Sequence, residues 1–173
     1  MEIVVADLPA GGQCFEGETA VDLGSDADAS DVVVSRSVSY GLRATRDGST
    51  LQVRGWLATD VEATCFRCLE KFRFAVRPRF ELTYKPATEE MGDEERVLDE
   101  KDLDLDDYQG GAVDLRDLLV EQVLLALPMK ALCRPDCVGL CPACGCNRNR
   151  NSCSCDPDVD SRLAPLSAIR DRL

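Results

Sequence analysis

Seven of the ten cysteines in this chain lie between Cys133 and Cys155, and the chain contains no histidine. The run reads Cys133-x3-Cys137-x3-Cys141-x2-Cys144-x-Cys146, then six residues, then Cys153-x-Cys155. Its centre, Cys141-Pro142-Ala143-Cys144-Gly145, has the form of a zinc knuckle. Two thiolates at that spacing chelate one ion across a tight turn whose backbone N–H groups can point at the sulfurs, and Gly145 supplies the positive φ the turn needs. A second x2 pair, Cys65-Phe66-Arg67-Cys68, stands far upstream at the end of a β-patterned run.

Eight cysteines fall into four pairs, 65/68, 133/137, 141/144 and 153/155, which is enough for two tetrathiolate sites. Such a site is closed, with no position left for water or substrate, and is structural rather than catalytic. All-thiolate ligands favour zinc or an iron–sulfur cluster over magnesium or calcium. Two structural Zn2+ ions are the expectation, with a cluster or redox thiols as the other readings. Cys14 and Cys146 are left over. Cys14 is expected to be a small, partly buried residue, and Cys146 a spare thiol or an alternative ligand.

Composition supports metal over disulfides. Ten cysteines in 173 residues fall below the roughly 8–10% of a disulfide scaffold. Met1 to Gln13 begins acidic, with Glu2 and Asp7, and has neither the basic nor the apolar region of a signal peptide. No window approaches the ~18 apolar residues of a membrane span. A reducing cytoplasm is the expected location, where clustered cysteines are metal ligands more often than disulfides. The lack of histidine excludes Ser-His-Asp and Cys-His nucleophile systems. A formal charge of −12 argues against adhesion to nucleic acid through net charge, although a local basic face remains open.

The expected fold class is α+β: an antiparallel β-sheet domain packed on a buried helix, with a C-terminal zinc-knuckle segment and a short terminal helix. Residues 1–88 read as the β-rich domain. Val38, Tyr40 and Leu42 alternate with Ser39, Gly41 and Arg43; the turn Asp47-Gly48 follows, and then Leu51, Val53 and Leu57. Asp-Gly between alternating runs predicts a type I′ hairpin. The same period continues through Val61, Phe72 to Val76, and Phe80 to Tyr84. Residues 89–111 read as an acidic linker. Between Glu81 and Asp107 twelve acids stand against three bases, a solvated segment or an acidic docking strip. Residues 112–130 form the core helix, with Asp114 as N-cap, Asp117 in its first turn, and Leu115, Leu118, Leu119, Gln122 and Val123 on one face. Val120, Leu124, Leu125 and Leu127 predict that the helix is covered on most sides, and Pro128 ends it. Residues 131–173 carry the cysteines and a last helix with Leu166 and Ile169 facing inward.

These motifs resemble one family. Cys65-x-Arg67-Cys68-Leu69-Glu70, Leu125-x-Leu127-Pro128, and Cys137-x-Gly139-Leu140-Cys141-Pro142-x-Cys144-Gly145-x-Asn147-x-Asn149 with Cys153-x-Cys155 are similar to the YceD family of large-subunit ribosomal RNA accumulation proteins. Asp160-Ser161-Arg162-Leu163 is similar to the family's Asp-Pro-Arg-Leu ending, and Cys146 departs from its usual pattern. The resemblance implies a non-enzymatic factor in large-subunit RNA accumulation or ribosome assembly. Some members lack the C-terminal knuckle but keep the Cys-x-Arg-Cys pair, with a His/Cys pair at the positions of Cys133 and Cys137. This implies joining 65/68 with 133/137 in one site and 141/144 with 153/155 in the other.

A basic face fits that role. Arg67, Lys71, Arg73, Arg77 and Arg79 stand against the single acid Glu70 between Cys65 and Phe80, and Arg148 and Arg150 flank the knuckle. Period-2 spacing puts Lys71, Arg73, Arg77 and Arg79 opposite the apolar Phe72, Phe74 and Val76. The aromatics are expected on the apolar side, leaving none to stack on bases. Ribosomal RNA or a pre-ribosomal particle is the expected partner, with no membrane and no small-molecule substrate. Two alternatives remain: an adaptor that holds a basic ribosomal protein through the acidic segment, and a Cys65/Cys68 thiol redox protein.

Overall fold

The computed structural model describes residues 1–23, 32–34, 37–87 and 105–155. These contain strands β1 Glu2–Val4, β2 Gln13–Thr19, β3 Val32–Val34, β4 Val38–Asp47, β5 Thr50–Thr64, β6 Lys71–Val76, β7 Arg79–Pro86, β8 Leu105–Tyr108 and β9 Ala112–Asp114, followed by helix α1 Leu115–Leu125. The described residues are mostly β-sheet with one α-helix and a cysteine-rich C-terminal part. The expected terminal helix, with Leu166 and Ile169, and most of the acidic segment lie outside the described residues.

Seven strands form one sheet in the order β2-β4-β5-β7-β8, with β3 and β6 also pairing with β5. β5 is long enough to serve several neighbours: Leu51 to Trp56 pair with β7, and Val61 to Ala63 pair with β3. β1 pairs with β9 in a separate two-stranded sheet. The β4–β5 hairpin closes with Asp47 opposite Thr50, so its central residues are Gly48 and Ser49. Only Gly48 has positive φ, at 60°. The turn therefore follows the II′ pattern, with glycine first, rather than the I′ pattern the Asp-Gly signal predicts.

β7 and β8 pair in parallel, Thr83 opposite Leu105, whereas β2–β4, β4–β5, β3–β5 and β5–β7 are antiparallel. Acidic composition conceals β8, which is held by the buried Tyr108 and its hydroxyl, donating to Ser49 O at 2.7 Å. β1 and β2 also carry little alternating signal.

The chain divides into two compact units, 1–63 with 73–129 and 64–72 with 130–173. In the first, Val38, Leu42, Leu51, Val53, Leu57 and Val61 share a core with Leu115, Leu118, Leu119 and Val123 of α1. Asp114 caps α1, its carboxylate accepting from the N–H of Arg116 and Asp117 at 2.6 and 3.4 Å. The expectation of a helix covered on most sides does not hold, because Leu124 and Leu125 are exposed. The buried face is the stripe of Leu115, Leu118, Leu119, Gln122 and Val123. One face suffices to anchor so short a helix.

Candidate metal centres

The second unit is built from two segments far apart in sequence, the β5–β6 connection and the chain after α1. Each begins from a turn that the cysteines themselves define. In Cys65-Phe66-Arg67-Cys68, the Leu69 N–H donates to Cys65 O at 2.9 Å and the Cys65 N–H to Glu70 O at 2.9 Å. In Cys141-Pro142-Ala143-Cys144, the Gly145 N–H donates to Cys141 O at 2.8 Å and the Cys141 N–H to Cys146 O at 2.8 Å. The two turns are the same structure. Both place a residue with positive φ after the second cysteine, Leu69 at 57° and Gly145 at 72°.

Each turn aims its amides at sulfur in the same way. Cys65 Sγ accepts from the N–H groups of Arg67 and Cys68, and Cys68 Sγ from that of Glu70. Cys141 Sγ accepts from Ala143 and Cys144, and Cys144 Sγ from Cys146. Hydrogen bonds to the charged form favour it, so Cys65, Cys141 and Cys144 are prepared to be thiolates, whereas at Cys68 the Glu70 N–H is outweighed by burial and by the Cys65 and Cys137 side chains.

The turns bring eight thiols into two quartets. Cys65, Cys68, Cys133 and Cys137 form one, and Cys141, Cys144, Cys153 and Cys155 the other, with the sulfurs of each within 4.8 Å of one another. In the first, Cys65 and Cys137 are 3.8 Å apart and Cys68 and Cys133 3.7 Å. A tetrahedron with metal–sulfur bonds of about 2.3 Å has edges of about 3.8 Å. Both quartets could hold a metal ion, and the first matches the spacing one ion demands.

The protonation pattern is that of ligands needing a cation. Burial opposes ionisation of Cys65, yet the N–H groups of Cys133, Cys68 and Arg67 bring it down to about 6. Burial pushes Cys133 up to about 12, as do its hydrogen bonds with Cys68, Cys65 and Cys137. In the second quartet the N–H groups of Cys144 and Ala143 bring Cys141 down to about 6, whereas hydrogen bonding with Cys144 and its negative charge push Cys155 up to about 12. In the first group a thiolate at Cys65 opposes a second at Cys133, and in the second group thiolates at Cys144 and Cys141 oppose a further one at Cys155. A divalent cation removes that conflict and makes four thiolates compatible.

A second layer of hydrogen bonds fixes the first quartet. Asn149 Nδ2 donates to Cys137 Sγ at 3.3 Å, while its Oδ1 accepts from Val138 N–H at 2.9 Å and Arg134 Nη2 at 2.8 Å. Arg67 Nη1 donates to Cys137 O at 2.8 Å, and Leu140 N–H donates to Arg67 O at 3.0 Å. Asn147 Oδ1 accepts from both the backbone N–H and Nδ2 of Asn149. The Asn147-x-Asn149 motif thus ties the knuckle's return strand to a thiol of the other quartet.

Cys146 lies against the second quartet, hydrogen-bonded to Cys153 and Cys144, contacts that push its thiol up to about 12. Cys14 is exposed on β2, not partly buried as expected. Its Cα partner is the exposed Arg43, on the face of β4 away from the core.

The expected basic residues are all exposed. In the first unit Arg73, Arg77 and Arg79 face away from Val76, and Arg73 pairs with Glu62 at 3.2 Å. In the second unit lie Arg67, Lys71, Arg148 and Arg150, with Arg150 paired to Glu70 at 2.7 Å. Phe72 and Phe74 are half-buried, but Phe66 is exposed on the first turn. Sequence alternation missed it because Phe66 lies in a turn, where period-2 reasoning has no force.

Fold and sites together define a β-sheet protein carrying two candidate tetrathiolate centres on paired knuckle turns. Residues 53–170 match the family described as large ribosomal RNA subunit accumulation protein YceD, and the chain belongs to that family. It is 36% identical over 131 residues to uncharacterized proteins of Mycobacterium tuberculosis (strain ATCC 25618 / H37Rv) and Mycobacterium bovis (strain ATCC BAA-935 / AF2122/97), covering 72% of this chain and 58% of each relative. An uncharacterized protein of Mycobacterium leprae (strain TN) is 27% identical over 108 residues, 62% of this chain and 48% of its own. The chain thus spans about half the length of these relatives. No solved structure matches significantly. No helix among the described residues is long and apolar enough to cross a membrane.

Proposed function

We propose that this protein is a non-enzymatic, zinc-stabilised factor that acts in the cytoplasm in large-subunit ribosomal RNA accumulation, through contact with ribosomal RNA or a pre-ribosomal particle. The observation that carries the reading is the pair of all-cysteine quartets in a chain of the ribosomal RNA accumulation family. Zinc is supported by the tetrahedral sulfur spacing, which suits one ion, since clusters of several irons need wider-set thiolates. With four protein ligands each centre has no open coordination position, which supports a structural role for the ion. The exposed bases Arg73, Arg77 and Arg79 in one unit, and Arg67, Lys71, Arg148 and Arg150 in the other, supply phosphate contacts despite the overall negative charge.

The test is recovery of the tagged, metal-loaded protein from lysate at low and high salt, followed by analysis of the bound RNA and protein. Enrichment of large-subunit ribosomal RNA that falls with salt is expected. Its absence at every salt concentration would overturn the reading.

A second reading has its own observation. Asp106, Asp107, Asp114, Asp117 and Glu121 line a cavity of about 460 Å³ in the first unit. Such a surface suits the adaptor alternative, a basic ribosomal protein held without RNA contact. Recovery of a basic protein after complete nuclease digestion would favour it.

A further inference from the structure

We propose that Phe66 is a stacking platform for one unpaired base of single-stranded RNA, an inference that rests on the RNA reading above and gives it a site. Three apolar side chains of the second unit are exposed around Arg67: Phe66 at 65%, Leu69 at 63% and Val138 at 53%. Phe66 and Leu69 belong to the first knuckle turn. Val138 lies on the segment 137–140 that Arg67 grips through Cys137 O and the Leu140 N–H.

The molecule contains its own control. The two knuckle turns share their backbone hydrogen bonds and their amide-to-sulfur pattern, so the turn itself needs only what both copies have. Where the second copy carries Pro142, Ala143 and Gly145, the first carries Phe66, Arg67 and Leu69. Neither the aromatic ring nor the exposed leucine is required to build a knuckle, and at these exposures neither side chain fills a core. A single exposed apolar side chain would need no explanation, but Phe66 and Leu69 on one turn with Val138 on the segment Arg67 grips form a group, and a grouped apolar surface marks a contact.

The surroundings select the partner. In the segments 64–72 and 130–155, six basic residues stand against two acids, Glu70 and Asp136. Lys130 Nζ sits 5.5 Å from the Phe66 ring centroid, leaving the opposite ring face for a base. The backbone that carries the ring is anchored: the Phe66 N–H donates to Ala131 O at 2.8 Å, and ligand cysteines bracket the turn on both sides. An exposed aromatic face on an anchored turn, ringed by cations, is the arrangement that binds single strands, stacking a nucleobase while Lys and Arg side chains hold the backbone phosphates. A duplex, whose bases are already stacked, would gain only the phosphate contacts.

The experiment uses the full chain loaded with metal and two RNA probes, a labelled oligouridylate of about ten nucleotides and a blunt duplex of the same length. Wild type is expected to prefer the single strand. Phe66→Ala should weaken oligouridylate binding by roughly 5- to 150-fold, the range one base–aromatic stack is worth, with duplex binding and metal content unchanged. Phe66→Leu keeps an apolar contact but no π face and should behave like Phe66→Ala, whereas Phe66→Trp should restore affinity. Emission from Trp56, the single tryptophan, reports that the sheet is intact in the first two variants.

Unchanged oligouridylate affinity in Phe66→Ala would overturn the inference and leave the RNA reading standing. Full activity of Phe66→Leu would assign the patch to an apolar protein contact and also overturn it. If wild type binds neither probe, the inference and direct RNA contact fall together.

Discussion

Leu69 and Gly145 hold the same position in two copies of one turn, each with a left-handed φ and each donating its N–H to the carbonyl of the first cysteine. Glycine adopts that conformation without steric strain, at an entropic cost of roughly 0.5–1 kcal/mol, whereas an L side chain there is strained by roughly 1–2 kcal/mol. Leu69 buries too little surface to repay it. Leu69→Gly is therefore expected to keep the full metal content and to raise stability by about 1 kcal/mol, read from denaturant unfolding of the loaded protein. A lost ion would show that the leucine side chain is needed to shape the first quartet.

Metal stoichiometry follows from the two quartets. Protein purified without chelators should carry two ions per chain by elemental analysis, with zinc the proposed metal. Cys68→Ser and Cys137→Ser should each lose one ion, and the double variant still only one. Combining Cys68→Ser with Cys144→Ser should lose both. A different pattern of additivity would mean that the quartets exchange members, with Cys146 the nearest substitute.

Asn149 is expected to matter to the first ion although it is not a ligand. Its amide donates to Cys137 Sγ while its carbonyl is held by Val138 and Arg134. Removing such an outer partner typically costs 10–100-fold in metal affinity. Asn149→Ala should lose its more labile ion to a competing chelator at correspondingly lower concentration. Asn149→Asp should be worse, since it sets a carboxylate against a thiolate.

The cap of α1 gives a pH-dependent prediction. Hydrogen bonds from the Arg116 N–H, opposed by partial burial and reinforced by the Asp117 N–H and the N-terminal ammonium, hold Asp114 below the usual carboxylate range. A depressed folded-state pKa stabilises above the unfolded value, about 3.9, and that contribution is lost as pH falls through the folded value. Asp114→Ala should cost about 1 kcal/mol at neutral pH. Asp114→Asn should cost less, and its deficit against wild type should shrink as the medium is acidified below pH 4. A pH-independent deficit would remove the charge from the account.

The basic strand can be tested apart from the knuckle. Arg73→Glu with Arg77→Glu changes exposed side chains, and the Arg73–Glu62 pair is a surface pair worth at most about 1 kcal/mol. The variant should fold and keep its metal. Its association with ribosomal RNA should weaken, with a flatter salt dependence, by roughly 0.7 to 0.9 in log–log slope per lost phosphate contact. Unchanged salt sensitivity would move the acidic-surface adaptor reading ahead.

The sequence was most legible where local chemistry acts alone. The cysteine spacings, the Asp114 cap and the alternation from Val38 through Tyr84 each depend on near neighbours, and each has a structural counterpart. Legibility failed where the decisive partner is distant. β8 is acidic, so it looks solvated until Tyr108 finds Ser49 and Thr83 aligns with Leu105. Leu124 and Leu125 look buried by composition, but the fold leaves them exposed. The exposure of Phe66 and the conformation of Leu69 could have been read only by overlaying the two Cys-x2-Cys turns residue by residue. That comparison treats the upstream pair as a knuckle rather than as the end of a strand.

The first quartet joins thiols 65 positions apart, Cys68 and Cys133, and this imposes an order on the birth of the molecule. At about 5–20 residues per second, the upstream pair leaves the ribosome roughly 3 to 13 s ahead of its partners. Through that interval Cys65 and Cys68 are half a site, open to oxidants and to stray metals. The nascent chain must extend through Cys137 before its first centre can close. An ion held by all four cysteines therefore enters only after the C-terminal pair has been made.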